Sequence, residues 1–183
     1  MNRITVAVAI EYASNRNCTG LAPATISTLE AASAFLNNQR ENDSVLAYCN
    51  ADLRSAMTTR ETESKKSEIL RKLLKTPVKR VVVEAGNSIE EAKNIRGALV
   101  QNGIQPRKII IFCDIQHRRR LRIIWPYVFP GIEIEIRTGR YIFGGDYRQI
   151  FLRHEFTWWL ANVIGLFAMR SFGIERVASI KEP

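Results

Sequence analysis

The polar segment from Glu84 to Ala92 places three carboxylates, an amide and a hydroxyl directly after the β-branched run Val81-Val82-Val83. A strand pattern that runs through Gly and Asn into a helical pattern predicts a strand-to-helix turn. Ser88 and Glu91 have the spacing of a capping box, in which each side chain satisfies a backbone N–H of the first helical turn. Such a helix N-terminus favours anionic ligand groups, although a turn that binds nothing has the same pattern.

A second group of reactive side chains follows the apolar run from Ile109 to Phe112. Asp114 and His117 come first, and four arginines follow at positions 118, 119, 120 and 122. Guanidinium groups so near should lower the pKa of His117, which keeps the imidazole neutral and able to act as a base. One or two of the arginines could bind a phosphate or carboxylate through paired hydrogen bonds. A solvated helix face is the other interpretation of the arginine run.

The elements that must position these groups alternate along the chain. Apolar runs and helical periodicity predict strands at 4–10, 45–49, 78–84, 108–113 and 132–136, and helices at 23–40, 63–75, 88–102, 115–124 and 147–170. Pro126 is expected to end the fourth helix. We therefore predict a three-layer α/β/α, Rossmann-like domain over 1–183, with its core at about 4–138. Its sheet would be open, mostly parallel and about five-stranded.

The last predicted helix, at 147–170, is rich in aromatic residues and apolar around most of its circumference. A helix of that kind must be buried on several sides, which predicts cover by a second subunit, giving a homodimer, or by the segment 172–180. Its apolar span is shorter than the roughly 20 residues that a membrane-crossing helix needs. Peripheral membrane contact is a further alternative, because Arg148, Arg153 and Arg170 lie near Trp158 and Trp159.

In an open α/β sheet, ligands bind at the carboxyl ends of the strands. The predicted strand ends, with the first turns of the helices that follow them, carry carboxylates, amides, a hydroxyl, an imidazole and a guanidinium group. We expect a small-molecule pocket at this edge, with ligand contacts from Glu11, Asn50, Glu84, Asn87, Ser88, Glu91 and Arg120, and with Asp114 and His117 as candidate catalytic residues.

Composition narrows the classes of protein that fit. The chain has 27 basic and 18 acidic residues, a net charge of +9, so contact with anionic groups is expected. Cys18, Cys49 and Cys113 are scattered without a CxxC spacing, which favours a reducing compartment, cytoplasmic in our expectation, and argues against a zinc site or a disulfide framework. No signal peptide is recognised after Met1.

Several common motifs do not occur. The chain has neither a P-loop nor a G-x-G-x-x-G after its first strand, so the standard nucleoside-triphosphate and dinucleotide sites are unsupported. G-x-S-x-G is missing too, which argues against an α/β-hydrolase. Aromatic residues are not interleaved with the arginine run, so binding of nucleic acid is not expected.

Two short motifs resemble those of the YdcF/SanA/ElyC-like group of bacterial Rossmann-like domains. The segment Ala85-Gly86-Asn87-Ser88-Ile89-Glu90-Glu91-Ala92 is similar to the family's S-x-N-T-x-E-N-A. The segment Phe112-Cys113-Asp114-Ile115-Gln116-His117-Arg118-Arg119-Arg120-Leu121 is similar to its V-T-S-x-x-H-x-x-R-A. The resemblance covers roughly 4–138 and implies a bacterial Rossmann-like domain, with an S-adenosylmethionine-like ligand or a role in cell-envelope maintenance.

The chain also departs from that family. Tyr48-Cys49-Asn50 and Ala9-Ile10-Glu11 replace two glycine-containing turns, and Asp114 replaces a serine. Glycine allows a ligand close to the backbone, so these replacements indicate a divergent member with altered specificity or without activity.

Three functional hypotheses follow. The first is a binding domain for an anionic or nucleotide-like small molecule, with Glu84, Asn87 and Ser88 on one wall and His117 and Arg120 on the other. The second is a metal-independent hydrolase or transferase for a phosphate-bearing substrate. In it His117 acts as the base, Asp114 orients it and Arg120 stabilises charge. The third is an envelope- or membrane-associated interaction protein that uses the aromatic C-terminal helix.

Overall fold

A computed structural model describes residues 4–10, 20–39, 44–50, 58–139, 154–174 and 176. These residues alternate between strand and helix. The strands are β1 (Ile4–Ala9), β2 (Ser44–Cys49), β3 (Lys79–Val83), β4 (Pro106–Asp114) and β5 (Glu133–Gly139). The helices are α1 (Pro23–Leu36), α2 (Thr59–Leu73), α3 (Ser88–Gln101), α4 (Arg118–Val128) and α5 (Glu155–Phe172).

The described strands form one sheet in the order β3-β2-β1-β4-β5. All four neighbouring pairs are parallel. Successive strands run outward from β1 to β3, and the chain then returns to β4 on the other side of β1. The predicted Rossmann-like architecture is therefore confirmed, and so is the edge position of the last strand. The strand order changes direction between β1 and β4.

Helices cover both faces of the sheet, which gives the three layers. Side chains of α1 and α2, such as Leu29 and Leu70, pack with Ala7 and Leu46 on one face. On the other face, β-branched side chains of the same strands pack against α3, α4 and α5. Residues 109–111 of β4 are at most 2% exposed, because helices cover them from both sides.

The ends of several helices differ from the prediction. Helix α1 ends at Leu36 instead of about Arg40. Helix α2 begins at Thr59 instead of Glu63, because Thr58 and Glu61 form a reciprocal capping box. Helix α4 begins at Arg118, after a turn, and continues through Pro126 to Val128. The last turn of α4 carries the fully buried Trp125, which stacks on Phe129 with ring centroids 5.3 Å apart. We attribute the extra turn to this burial, which offsets the cost of a proline inside a helix.

Helix α5 has one buried side and one exposed side. Trp158, Asn162 and Met169 face the protein, and α5 packs against α4. Its outer face exposes five large apolar side chains, and a sixth is exposed at the last helical position: Phe156, Trp159, Leu160, Ile164 and Phe167 on the face, and Phe172 at the end. The expectation that this helix is covered on several sides is therefore not met within the described part of the chain. None of the helices in that part is long and apolar enough to cross a membrane.

Candidate functional site

The strand order changes direction between β1 and β4. Helix α1 follows β1 on one face and α4 follows β4 on the other, and open α/β sheets bind ligands at the carboxyl edge beside such a change. The backbone N–H of Ile10 donates to the carbonyl oxygen of Phe112 at 3.2 Å, which joins the two strand ends. Glu11, a predicted ligand contact, lies outside the described residues.

The two predicted groups of reactive side chains, which follow β3 and β4, meet at the carboxyl edge of the sheet. The Oγ of Ser88 lies 3.0 Å from Nε2 of His117, although the residues are 29 positions apart. Ser88 is the first residue of α3 and is half-buried, while His117 immediately precedes α4 and is 4% exposed. Ser88 as a residue is thus less buried than the histidine that its hydroxyl contacts.

Burial is the main reason that the imidazole is neutral. Desolvation holds the pKa of His117 well below its ordinary value, and the positive charge of Arg120 lowers it further. The predicted direction of the shift is confirmed, but its main cause is not the arginine run. A neutral imidazole at physiological pH can accept a proton from a hydroxyl that contacts it.

Asp114 positions His117 through the backbone. Its Oδ1 accepts the backbone N–H of Gln116 at 2.7 Å and that of His117 at 3.0 Å. The same oxygen accepts the indole N–H of Trp158 at 3.1 Å. The Trp158 ring also meets the imidazole edge-on, with centroids 5.6 Å apart. Asp114 therefore joins the turn before α4 to α5, which is a broader role than the predicted one of orienting the imidazole.

The N-terminus of α3 is capped by Asn87, and the predicted capping box of Ser88 and Glu91 is wrong. Asn87 Oδ1 accepts the backbone N–H groups of Ile89 and Glu90, both at 3.0 Å. The carboxylate of Glu90 accepts the N–H of Gly86 at 2.8 Å. Side chains of the turn itself thus bond to N–H groups that an anion would use. The hydroxyl of Ser88 contacts His117 instead.

The other predicted residues of this face lie around the pair. Glu84 is exposed, and its carbonyl oxygen accepts the side-chain amide of Asn94 at 2.6 Å. Glu91 is 5% exposed, so its carboxylate lies inside the protein. The side chain of Arg120 extends from α4 to α5 and packs against Gly165. Its Nε lies so close to this glycine that a Cβ added there would be only 3.2 Å away. Arg120 therefore acts on His117 through its charge from the α5 side.

Asn50 belongs to a separate polar cluster at the end of β2. The carboxylate of Glu63, on α2, accepts the amide of Asn50 at 2.6 Å, the hydroxyl of Tyr48 at 3.0 Å and the hydroxyl of Ser67 at 2.9 Å. The backbone N–H of Asn50 donates to the carbonyl oxygen of Val83. We call Tyr48, Asn50, Glu63 and Ser67 the Glu63 cluster. Of these four residues, only Asn50 was predicted from the sequence as a ligand contact.

Two cations complete the surroundings of this cluster. Lys66 is 1% exposed, donates to the carbonyl oxygen of Cys49 and lies over the Tyr48 ring. Arg80 donates to the hydroxyl of Ser67 at 2.9 Å. Burial, followed by the negative charge of Glu63, raises the pKa of the Tyr48 phenol. The spacing of Glu63, Lys66 and Ser67 on one face of α2 was the signal available in the sequence.

An open groove of about 610 Å³ lies elsewhere, between α3 and α4. It is lined by Lys93, Arg96, Gly97, Val100, Gln101, Tyr127 and Val128. The first turns of α3 and α4 lie at the carboxyl edge, so these later residues lie farther from it. The groove is therefore separate from the Ser88–His117 pair.

Comparison with other proteins assigns no function. No protein-family model, no curated protein and no solved structure matches the chain. The resemblance to the YdcF/SanA/ElyC-like group therefore stays a prediction, together with the ligand it implies. Within the described ranges, no group of three or more His, Cys, Asp or Glu side chains is placed to hold a metal ion.

Proposed function

We propose that this protein binds a nucleoside-like small molecule at the carboxyl edge of its sheet, beside the Ser88–His117 pair. The observation that carries the proposal is the meeting of Ser88 and His117 at 3.0 Å, next to the change in strand order. Ser88 lies on the connection after β3 and His117 on the connection after β4. Together they form a polar, partly buried surface at the edge where open α/β sheets bind ligands.

The chemistry of the α3 turn favours a ligand with hydroxyl groups over one with a phosphate at this position. Asn87 already accepts two N–H groups of the first turn, and Glu90 already bonds to Gly86. A phosphate placed there would meet the carboxylate of Glu90, whereas ribose hydroxyls could donate to it. The turn thus favours the nucleoside part of a nucleotide-like ligand.

An exposed apolar side chain lies beside the same edge. Ile115 follows β4 directly and is 57% exposed, although it precedes the buried His117 by only two residues. A flat heterocyclic base packed on Ile115 would remove this side chain from water. A nucleoside with a positively charged substituent also suits the Glu90 carboxylate. S-adenosylmethionine, the ligand that the family resemblance implies, has these features.

A thermal-shift panel tests the proposal. Adenosine, AMP, ATP, S-adenosylmethionine and ribose 5-phosphate should each be added to the full chain. A ligand that binds only the folded state stabilises it by about 2.7 kcal/mol at a hundredfold excess over Kd. We expect adenosine and S-adenosylmethionine to raise the melting temperature more than ribose 5-phosphate does. No shift with any nucleoside-containing compound would refute the proposal.

A pair of variants tests where the ligand binds. Ile115→Asp should remove the thermal shift, because the charge replaces the apolar surface at the carboxyl edge. Val100→Asp places the same charge on a side chain that is 71% exposed in the groove between α3 and α4. It should leave the shift unchanged. The opposite result would place the ligand in the groove.

We also propose that two copies of the chain associate through the outer face of α5 in a cytoplasmic protein. Five large apolar side chains are exposed on one face of this helix, and exposed apolar surface of this kind marks interaction sites. Cys113 carries a free and buried thiol, as suits a reducing compartment. Sedimentation of the full chain at micromolar concentration tests the association. A monomer that binds anionic vesicles would instead support peripheral membrane contact.

A further inference from the structure

We propose that Ser88 is a nucleophile, that His117 is its general base, and that the pair hydrolyses an uncharged ester bound at the carboxyl edge. The proposal goes beyond ligand binding and rests on the proposed position of the pocket. From the sequence alone, His117 was predicted to be the base, and Ser88 was not predicted to take part in a reaction. Ser88 becomes a reacting group because of its contact with the imidazole.

The geometry of the pair suits proton transfer. Ser88 Oγ and His117 Nε2 are 3.0 Å apart, within the range of a nucleophile and its base. Ser88 is the half-buried first residue of a 14-residue helix, whereas His117 is buried. The proposal therefore requires that a substrate approach the pair from the side of Ser88.

The surroundings of His117 hold it in place. Asp114 bonds to its backbone N–H, and the Trp158 ring meets the imidazole edge-on. The indole N–H of Trp158 also donates to Asp114. The Asp114 carboxylate therefore holds both the backbone of His117 and the ring that packs on its imidazole. The positions of base and nucleophile are thus set by α3, by the turn before α4 and by α5. Positioning of this kind lowers the entropic cost of the reaction.

The reaction can be written with every proton accounted for. In the tautomer whose proton is on Nδ1, His117 Nε2 accepts the Ser88 proton as Oγ bonds to the ester carbonyl carbon. The carbon–oxygen ester bond breaks, and the departing alcohol takes that proton from Nε2. A water molecule then gives a proton to Nε2 and attacks the acyl carbon. Oγ leaves and recovers the proton, so ester and water become acid and alcohol.

The site favours an uncharged substrate. Negative charge develops on the carbonyl oxygen next to Ser88, at the positive end of the α3 dipole. A substrate that already carried a phosphate there would meet the Glu90 carboxylate and the N–H groups already bonded to Asn87. This differs from the phosphate-bearing substrate expected from the sequence.

The alternative is a structural hydrogen bond that only joins α3 to the turn before α4. A fluorophosphonate probe distinguishes the two, because an activated serine displaces fluoride from phosphorus and an ordinary hydroxyl does not. The full chain should be incubated with the probe, and the adduct located by intact and peptide mass spectrometry. We expect one adduct, on Ser88.

Four variants define the roles. Ser88→Ala should abolish labelling, and His117→Ala should slow it roughly 100-fold or more, as for loss of a general base. Ser67→Ala is the matched serine control, since its hydroxyl contacts Glu63 instead of a histidine. His154→Ala is the matched histidine control, because His154 is exposed at the start of α5. Both controls should label like the parent chain.

A cysteine variant covers the case in which Ser88→Ala does not fold. Ser88→Cys should react with iodoacetamide at a rate that falls when His117 is also replaced. Folded parent chain that stays unlabelled, labelling at another serine, or a rate that does not depend on His117 would each overturn the proposal.

The result is separable from ligand binding. Folded Ser88→Ala should retain at least part of the thermal shift given by adenosine or S-adenosylmethionine, because Ile115 and the α3 turn remain. A shift without labelling refutes the nucleophile and leaves the binding proposal standing. Labelling without a shift supports the nucleophile and refutes the nucleoside-like ligand.

Discussion

The Glu63 cluster and the Ser88–His117 pair lie on opposite faces of one sheet and differ in how their groups are bonded. In the Glu63 cluster, three side chains donate to a single carboxylate that lies between α2 and the end of β2. In the pair, one half-buried hydroxyl contacts one buried imidazole. The first arrangement gives one acceptor three donors, and the second joins one hydroxyl to one imidazole.

The difference in bonding predicts different roles, with the Glu63 cluster stabilising the fold and the Ser88–His117 pair reacting. A carboxylate that already accepts three hydrogen bonds stabilises the fold and has little capacity left for a ligand. A hydroxyl with one neutral acceptor behind it can lose a proton when a substrate arrives. We therefore expect substitutions in the Glu63 cluster to change the free energy of unfolding, and substitutions at Ser88 to change reactivity.

The largest effect on folding is expected from Glu63→Ala. Tyr48 and Asn50 would lose their acceptor inside the protein, and each buried donor left without one costs about 1–3 kcal/mol. We expect urea unfolding to show a loss of about 3 kcal/mol. Glu68→Ala is the control on the same helix, because its ion pair with Lys72 is exposed. It should leave the free energy of unfolding nearly unchanged, because solvent screens an exposed pair. Equal losses would contradict the assignment of the Glu63 cluster as stabilising.

A smaller effect is expected from Trp158→Phe, which removes the indole N–H that Asp114 accepts. The unbonded acceptor and the lost ring area should together cost about 2 kcal/mol. The variant should also slow fluorophosphonate labelling of Ser88, because His117 loses part of its support. Trp159→Phe is the matched control, since Trp159 is 41% exposed on the next position of α5. Unchanged stability in Trp158→Phe would show that α5 does not hold this turn.

The free energy of unfolding should fall in acid because of His117. The pKa of His117 is well below its ordinary value in the folded protein, so the unfolded chain binds the proton more strongly. The contribution of the neutral imidazole is thus complete above about pH 6.5 and falls by about 1.4 kcal/mol per pH unit below it. Denaturation at pH 7.5 and 5.5 should show this slope, and His117→Gln should remove it. A slope that persists in His117→Gln would assign the acid sensitivity to other groups.

The Glu63 cluster should respond at the opposite end of the pH scale. The pKa of Tyr48 is raised in the folded protein, so above about pH 10 the unfolded chain loses that proton first. Stability should then fall as the pH rises, because ionisation favours the unfolded state. Tyr48→Phe should weaken this alkaline dependence, as followed by denaturation at pH 9 and 10.5. Identical pH profiles for the two proteins would contradict the assignment.

The smallest effect on folding is expected at the outer face of α5, which belongs to neither cluster. Phe167→Ser replaces an exposed side chain and should change the free energy of unfolding by less than about 0.5 kcal/mol. It should nevertheless weaken self-association in sedimentation experiments. Val100→Ser, on the exposed side of α3, is the control and should leave association unchanged. A dimer that survives Phe167→Ser would place the interface elsewhere.

The order of elements could be predicted because its signals are local. The apolar run Ile109-Ile110-Ile111 is buried on both faces, as a central parallel strand requires. The first and last residues of the helices were harder to predict than the order of the elements. Asn87 and Ser88 are both good N-cap residues, and the structure uses Asn87 while Ser88 contacts His117. Helix α4 likewise continues past Pro126, which we attribute to the burial of Trp125. Local sequence rules place the helix end before the proline.

The sequence by itself determined the α/β repeat, the parallel sheet and the carboxyl edge as the place where Ser88, Asp114 and His117 gather. Periodicity and turn residues act over a few positions, so they can be read without contacts. Only the tertiary structure decided that Ser88 meets His117, that Trp158 donates to Asp114 from 44 residues away, and that Glu63 collects three donors. These contacts depend on how helices from distant parts of the chain pack on the sheet, which local patterns do not specify.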